Sequence, residues 1–312
     1  MRATFLIAAL SSLQNAGSYV TVGVLLLFVD GLGLGRPDPE ANPLVRAHLT
    51  RLRLTQGAPA PDPTATLVST DASLGVPGLP QSATGQTSIL AGVNAPAAVG
   101  RHINGYCTKS LAALLDGRSL FARVKAGGRE ATFANAYTPR FLEKLPRFLS
   151  VTTIATRQAG LRVRTLEDLA RGEAVFHDFT NRLLPERGYY LPPVAPREAG
   201  RRLAALTSAH AFTMYEHFLT DLAGHAQNMT RAIEVLEDLD ALLDGLLTHL
   251  NLSTHLVVLA SDHGNIEDLS TKRHTLNPVP TLLWGDGASG LAAGIRDLAD
   301  IAPAILRHLG MV

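Results

Sequence analysis

The chain has 312 residues, 46% of them hydrophobic, with 28 Lys or Arg against 27 Asp or Glu. That is enough apolar material for one large core, while arginines spread evenly along the chain exclude the clustered basic footprint of a nucleic-acid binder. A single cysteine, Cys107, excludes an internal disulfide, and no apolar run reaches the roughly 18 residues a membrane span needs.

Met1-Arg2 followed by the apolar stretch Phe5–Leu10 faintly resembles a signal peptide, but the run is short and no small-x-small cleavage site follows. A start codon placed too far upstream explains it equally well, and a cytoplasmic protein is the expectation. The first convincing element is a strand at Val22–Val29, apolar on both faces as in the centre of a parallel sheet. It ends in Asp30-Gly31, and a carboxylate followed by glycine at a strand's C-terminal end is where open α/β sheets place ligands. Residues 56–81 read as a long Pro- and Gly-rich loop around a short strand near Leu67–Ser69. The loop delivers Gln81-Ser82-Ala83-Thr84-Gly85-Gln86 to the start of a helix.

Residues 106–204 are less regular, with helices expected near 118–126, 139–146 and 196–206 and strands near 130–135 and 173–177. This stretch is expected to form a small inserted cap. The sheet resumes with a strand at Ala211–Leu219, an amphipathic helix at Asn228–Leu250, strands at His255–Ala260 and Pro280–Trp284, and a closing helix at Leu298–Leu309. The alternation predicts an α/β fold, a doubly wound, mostly parallel sheet flanked by helices. The core would comprise 22–105 and 205–312, the cap 106–204, with 1–21 an extension of open status.

Three expected strands end in an Asp: Asp30, Asp221 and Asp262. His225 lies one helical turn after Asp221, His263 directly follows Asp262, and His274 lies just beyond. Parallel strands bring their C-terminal ends together, and three carboxylates with three imidazoles suit zinc or manganese. Two divalent cations carry about four positive charges, which three Asp and a Ser82 alkoxide would offset. A helix N-terminus would help lower the Ser82 hydroxyl. Each fragment alone has a bland reading, since a strand-end Asp or a loop Ser often caps a helix; it is their conjunction that points to chemistry.

Asp30-Gly31, Ser82-Ala83-Thr84-Gly85, Thr220-Asp221-Leu222-Ala223-Gly224-His225, Ser261-Asp262-His263-Gly264-Asn265-Ile266-Glu267 and His274-Thr275-Leu276-Asn277-Pro278-Val279-Pro280 together resemble the alkaline phosphatase superfamily. The last two stretches look most like its cofactor-independent phosphoglycerate mutase and phosphopentomutase branch. The resemblance implies two divalent cations, Mn²⁺ or Zn²⁺, one held by Asp221, His225 and His274 and the other by Asp30, Ser82, Asp262 and His263. It implies a small phosphorylated substrate and a phosphoserine at Ser82, with Thr84 the rival nucleophile. Gln86 stands where the mutases carry a histidine, and 106–204 leaves room only for a short insert. The expectation is therefore a phosphatase slightly ahead of a phosphomutase, with a non-catalytic metal-binding protein as the third reading. Arg101, His102, Thr84, Arg118 and Arg123 are candidate substrate contacts, as are Arg140 and Arg157, although a surface role is the commoner fate of such arginines. His177-Asp178 repeats the Asp/His pairing but lies in the expected cap, so a structural role is expected there. Gly31-x-Gly33-x-Gly35 does not meet the dinucleotide fingerprint.

Overall fold

The computed structural model describes residues 22–312; the extension 1–21 lies outside the described residues. In chain order the elements begin with β1 (Gly23–Val29), α1 (Pro43–Arg46), β2 (Thr66–Thr70), α2 (Ser82–Ala91), α3 (Ala95–Val99), α4 (Lys109–Leu115), α5 (Leu120–Ala126) and β3 (Ala131–Phe133). Next come β4 (Ala136–Tyr137), α6 (Pro139–Glu143), α7 (Val151–Gln158), β5 (Arg164–Thr165), α8 (Leu166–Ala170) and α9 (Pro196–Ser208). The chain closes with β6 (Phe212–His217), α10 (Leu219–Ala226), α11 (Met229–His249), β7 (His255–Ala260), β8 (Val279–Trp284), α12 (Ala288–Ala292) and α13 (Ile301–His308).

A six-stranded sheet runs in the order β2-β8-β7-β1-β6-β3. β1 pairs in parallel with β6 and β7, and β3 in parallel with β6, while β8 runs antiparallel to both its neighbours, β7 and β2. The period-two pleat of β1 explains its unbroken apolarity. Val24, Leu26 and Phe28 enter one core with Leu256 and Val258, whereas Leu25, Leu27 and Val29 enter a second core with Val257 and Leu259. Helices α2, α4, α5, α7 and α13 cover the first face; α9 and α11 cover the second. α9 and α11 lie almost backbone to backbone: a Cβ on Gly200 would meet the Leu242 carbonyl at 2.1 Å, and one on Gly245 the Arg197 carbonyl at 2.1 Å. No helix among the described residues is long and apolar enough to cross a membrane.

Several expectations need correction. Residues 106–204 do not stand apart as one cap, because β3 is an edge strand of the main sheet and Leu111, Phe121, Val124 and Val151 fill its first core. α9 likewise packs on α11 in the second. What stands off is a smaller unit between β3 and α9 with its own cluster of Ala136, Leu166, Leu169, Ala174, Phe176 and Leu184 and a two-stranded sheet, β4-β5. The helix expected at 118–126 is α5, which Ser119 caps by accepting from the Ala122 amide. The strand expected at 173–177 is extended chain with one bridge, Asn135 to Val175. Helices α4, α7 and α8 were not anticipated.

Candidate metal and nucleophile site

β1, β6 and β7 are in register, with Phe28 level with both Glu216 and Ala260, so their C-terminal ends finish side by side. Asp30 therefore meets the Ser261-Asp262-His263 turn directly: Gly31 N donates to Asp262 Oδ1 (3.3 Å) and Leu32 N to Ser261 Oγ (2.9 Å). Gly31 has φ +71°, and a Cβ there would strike the Asp221 carboxylate at 2.8 Å, which fixes glycine after Asp30. Ser82 is the first residue of α2, a helix buried along its whole length. Gly85 lets that first turn close on Asp262, since a Cβ would meet the Asp262 Cβ at 2.7 Å.

The first half of the site follows. Ser82 Oγ and His263 Nε2 hydrogen-bond at 2.9 Å. His263 Nε2 also lies 3.2 Å from Asp30 Oδ1 and 3.7 Å from Asp262 Oδ2. Burial pushes both carboxyls above the usual range. Burial alone would lower His263, but the charges of Asp262 and Asp30 outweigh it and hold it up at about 10. Asp30 Oδ1, Asp262 Oδ2 and His263 Nδ1 are buried without a hydrogen-bond partner.

The second half corrects one expectation: β6 ends at His217, and Asp221 sits in the first turn of α10 with His225 one turn on. His225 Nδ1 donates to the Lys272 carbonyl (2.8 Å) and His274 Nδ1 to the Pro80 carbonyl (2.9 Å). A carbonyl can only accept, so both rings carry their hydrogen on Nδ1 and present a lone pair on Nε2. Those two lone pairs face each other at 3.3 Å, with Asp221 oxygens 3.4 and 3.6 Å away. Such an arrangement calls for a cation between them. Asn265 Nδ2 steadies Asp221 by donating to Oδ1 at 2.6 Å. The rings of His263 and His274 stack at 3.6 Å and join the two halves. Asp30-Asp262-His263 and Asp221-His263-His274 each offer ligand atoms lying within 4.8 Å of one another. Hard carboxylate oxygens beside imidazole nitrogens, several of them orphaned and buried, fit divalent cations.

A cavity of about 570 Å³ opens over this cluster, with Asp30, Ser82, Gln86 and Asp221 in its wall. Thr84 does not reach it; its hydroxyl is buried and donates to the Gln81 carbonyl at 3.1 Å. Nor do Arg101, His102, Arg118, Arg123, Arg140 and Arg157 line it. His102 instead hydrogen-bonds the Val76 carbonyl, and α5, which carries Arg123, packs on β3 and α7. His177, expected to be structural, does line the cavity, stacked on Phe218 with its Nε2 accepting from Arg187 Nη2 at 3.2 Å. Burial and the Arg187 charge push His177 down to about 3, so it stays neutral. Its partner Asp178 turns away and caps the Asn181 and Leu183 amides. Arg187 was missed, and nothing in its spacing marks it.

Sequence reasoning also passed over the role of Glu267. Its buried carboxylate accepts from Gly33 N (2.9 Å), Asn265 N (2.7 Å), Thr275 Oγ1 (2.5 Å) and Asn277 Nδ2 (3.1 Å). It thereby ties the loops bearing Asp30, His263 and His274 to one another.

The fold is an α/β scaffold of the alkaline phosphatase kind. Residues 196–312 match the family model described as Metalloenzyme superfamily, so the resemblance read from the motifs holds. Among curated proteins, the 2,3-bisphosphoglycerate-independent phosphoglycerate mutase of Haloquadratum walsbyi is 36% identical over 99 residues, 29% of this chain and 20% of that protein. The enzyme of the same name from Roseobacter denitrificans is 30% identical over 157 residues, 45% of this chain and 30% of that protein. The matches thus span less than a third of these relatives' length. Of solved structures, a Pyrococcus horikoshii protein aligns with TM-score 0.59 at 17% identity, covering 94% of this chain and 98% of that one. Thermus thermophilus alkaline phosphatase aligns with TM-score 0.57 at 14% identity, covering 98% and 96%. These structural likenesses establish the fold.

Proposed function

We propose that the protein is a metal-dependent phosphoryl-transfer enzyme that hydrolyses phosphate monoesters through a phosphoserine at Ser82. The observation that carries the reading is the placement of Ser82 Oγ, 2.9 Å from His263 Nε2 at the start of the buried helix α2 and in the wall of the cavity shared with Asp30 and Asp221. Asp30, Ser82, Asp262 and His263 would hold one divalent cation and Asp221, His225 and His274 another, supplying Lewis acidity that lowers the Ser82 hydroxyl and neutralises phosphoryl oxygens. The remaining work falls to the chain. The N-terminus of α2 directs its free amides and positive dipole end at an incoming phosphoryl group. Ser82 Oγ forms the bond to phosphorus as the bond from phosphorus to the ester oxygen breaks, and the alcohol leaves. Water then attacks the phosphoserine, releasing phosphate and restoring the hydroxyl. Gln86, one turn along α2 and in the same wall, is placed to donate to a phosphoryl oxygen.

The names of the relatives favour phosphomutase as a second reading. Against it, Arg187 is the one Lys or Arg among the described residues that line the cavity, which gives a poor grip on a substrate that must be held and reoriented. The test is phosphate release from an aryl phosphate with Mn²⁺ or Zn²⁺, beside Ser82→Ala and Asp262→Ala. Metal-dependent turnover lost in both variants supports the reading; turnover that survives in Ser82→Ala refutes it.

A further inference from the structure

The lining of the cavity also contains paired aromatic rings. Tyr106 and Phe148 stack at 5.8 Å, Tyr137 and Phe141 at 4.9 Å, and His177 and Phe218 at 4.8 Å with only 7° between their planes. Two of these rings are left in solvent, Tyr106 at 57% and Phe148 at 55% exposure, and Leu222 beside them is also 55% exposed. Three of the nine large hydrophobic side chains exposed among the described residues thus line the cavity that also holds Ser82. Exposed apolar surface concentrated in one rim marks a binding face. Charge makes the complementary point. The carboxylates Asp30 and Asp221 are committed to the cations, and the lining's lone guanidinium, Arg187, is already engaged by His177 Nε2 and the face of Phe176, so no free basic side chain in the lining is left to grip a second anionic group. The volume of about 570 Å³ is far more than a phosphoryl group fills and suits an organic group of ring size or larger.

We infer that the cavity selects phosphate monoesters whose alcohol carries a planar aromatic ring, gripped between the Tyr106–Phe148 pair and Phe218, over small polar or polyanionic phosphates. The inference rests on the phosphoesterase reading above and adds the substrate class to it. Stacking of one ring contributes roughly a tenfold preference.

The test compares kcat/KM of the metal-loaded enzyme for 2-phenylethyl, 2-cyclohexylethyl and ethyl phosphate, alcohols whose leaving abilities are matched. The phenyl ester should exceed the ethyl ester by about tenfold and also exceed the cyclohexyl ester. The phenyl-to-ethyl ratio should fall to about twofold or less in Phe148→Ala and in Phe218→Ala. Because the ratio is measured within one protein, losses of folding or metal cancel. A wild-type ratio near one, a cyclohexyl ester as good as the phenyl ester, or a ratio unmoved in both variants overturns the inference while hydrolysis stands. The same comparison is made by calorimetric binding of the corresponding phosphonates. If no ester turns over but the phenyl phosphonate still binds about tenfold tighter than the ethyl one, the hydrolase reading falls and the aromatic site stands; equal binding removes the site.

Discussion

Replacing Glu267 should damage the site more than replacing any single metal-facing group should damage the fold. The carboxylate is 1% exposed and accepts four hydrogen bonds, from Gly33, Asn265, Thr275 and Asn277. In Glu267→Ala those donors lose their acceptor inside the protein, and two of them are backbone amides that cannot rotate away. Removing one partner of such a buried charged cluster costs about 3–5 kcal/mol, which lowers the Tm of a chain this size by roughly 6–10 °C. Glu267→Gln keeps the shape. Its amide oxygen can still serve Gly33 and Asn265, while Thr275 can turn to accept from the new NH₂; only Asn277 is left facing a donor. That variant should lose about 1–2 kcal/mol. Because Glu267 holds the His263 and His274 loops against Gly33, Mn²⁺ affinity should also fall, by about 10–100-fold in the Gln variant. Urea unfolding gives the first quantity and calorimetric titration with Mn²⁺ the second. An alanine variant within 1 kcal/mol of wild type, or a Gln variant with unchanged metal affinity, would refute the view that this carboxylate organises the site.

Four further outcomes are expected. Gly245→Ala gains up to about 1 kcal/mol of helix propensity, but its Cβ strikes the Arg197 carbonyl at 2.1 Å, so urea unfolding should show a net loss of about 1–3 kcal/mol. Stripping metal with a chelator should lower Tm, and adding Mn²⁺ or Zn²⁺ should restore it, because Asp30 Oδ1 and Asp262 Oδ2 are otherwise buried without partners; at a thousand times the dissociation constant the gain is about 4 kcal/mol. His177 and His217 are lowered by burial to about 3 and about 4. The unfolded chain therefore takes up protons near pH 6.5 that these two buried rings refuse, so their contribution to stability is full above about pH 6.5 and falls toward pH 4 by on the order of 5 kcal/mol. His177→Phe should flatten that slope by one proton in urea unfolding followed against pH.

The fold was legible where one strand or helix carries its own signature. β1 and β7 are covered on both faces, so their apolarity is continuous and their ends are sharp. α11 shows its stripe because one side faces solvent. α2 has no such stripe: it is buried all round and mostly made of Ser, Thr, Gly and Ala, with Thr87 and Ser88 satisfying their hydroxyls on the carbonyls four residues back (2.7 and 3.0 Å). The loop before it and the short apolar run from Thr87 were its signals. The unit between β3 and α9 was hardest because its apolar cluster is small and much of its order is polar. Asp168 anchors Arg162 and Arg171 and accepts from Thr165 N, while Arg164 donates to Thr132 and Glu173. Such contacts leave no periodicity in the sequence.

The same contrast separates the two halves of the active cavity. Asp30, Asp262 and His263 follow parallel strands whose register brings them together, and Asp221 and His225 are one helical turn apart. Their meeting could be argued from topology before any coordinates. The ring wall has no such warrant. Tyr106 precedes α4, Phe148 follows α6, His177 and Arg187 come from the smaller unit, and Phe218 comes from the bend after β6. These five positions share one cavity wall although they come from separate segments of the chain. Residues fixed at strand ends and rings gathered from several separate segments can vary independently. Substitutions at Phe148 or Phe218 should therefore alter which ester is preferred, whereas those at Asp262 or Ser82 should abolish turnover of every ester alike.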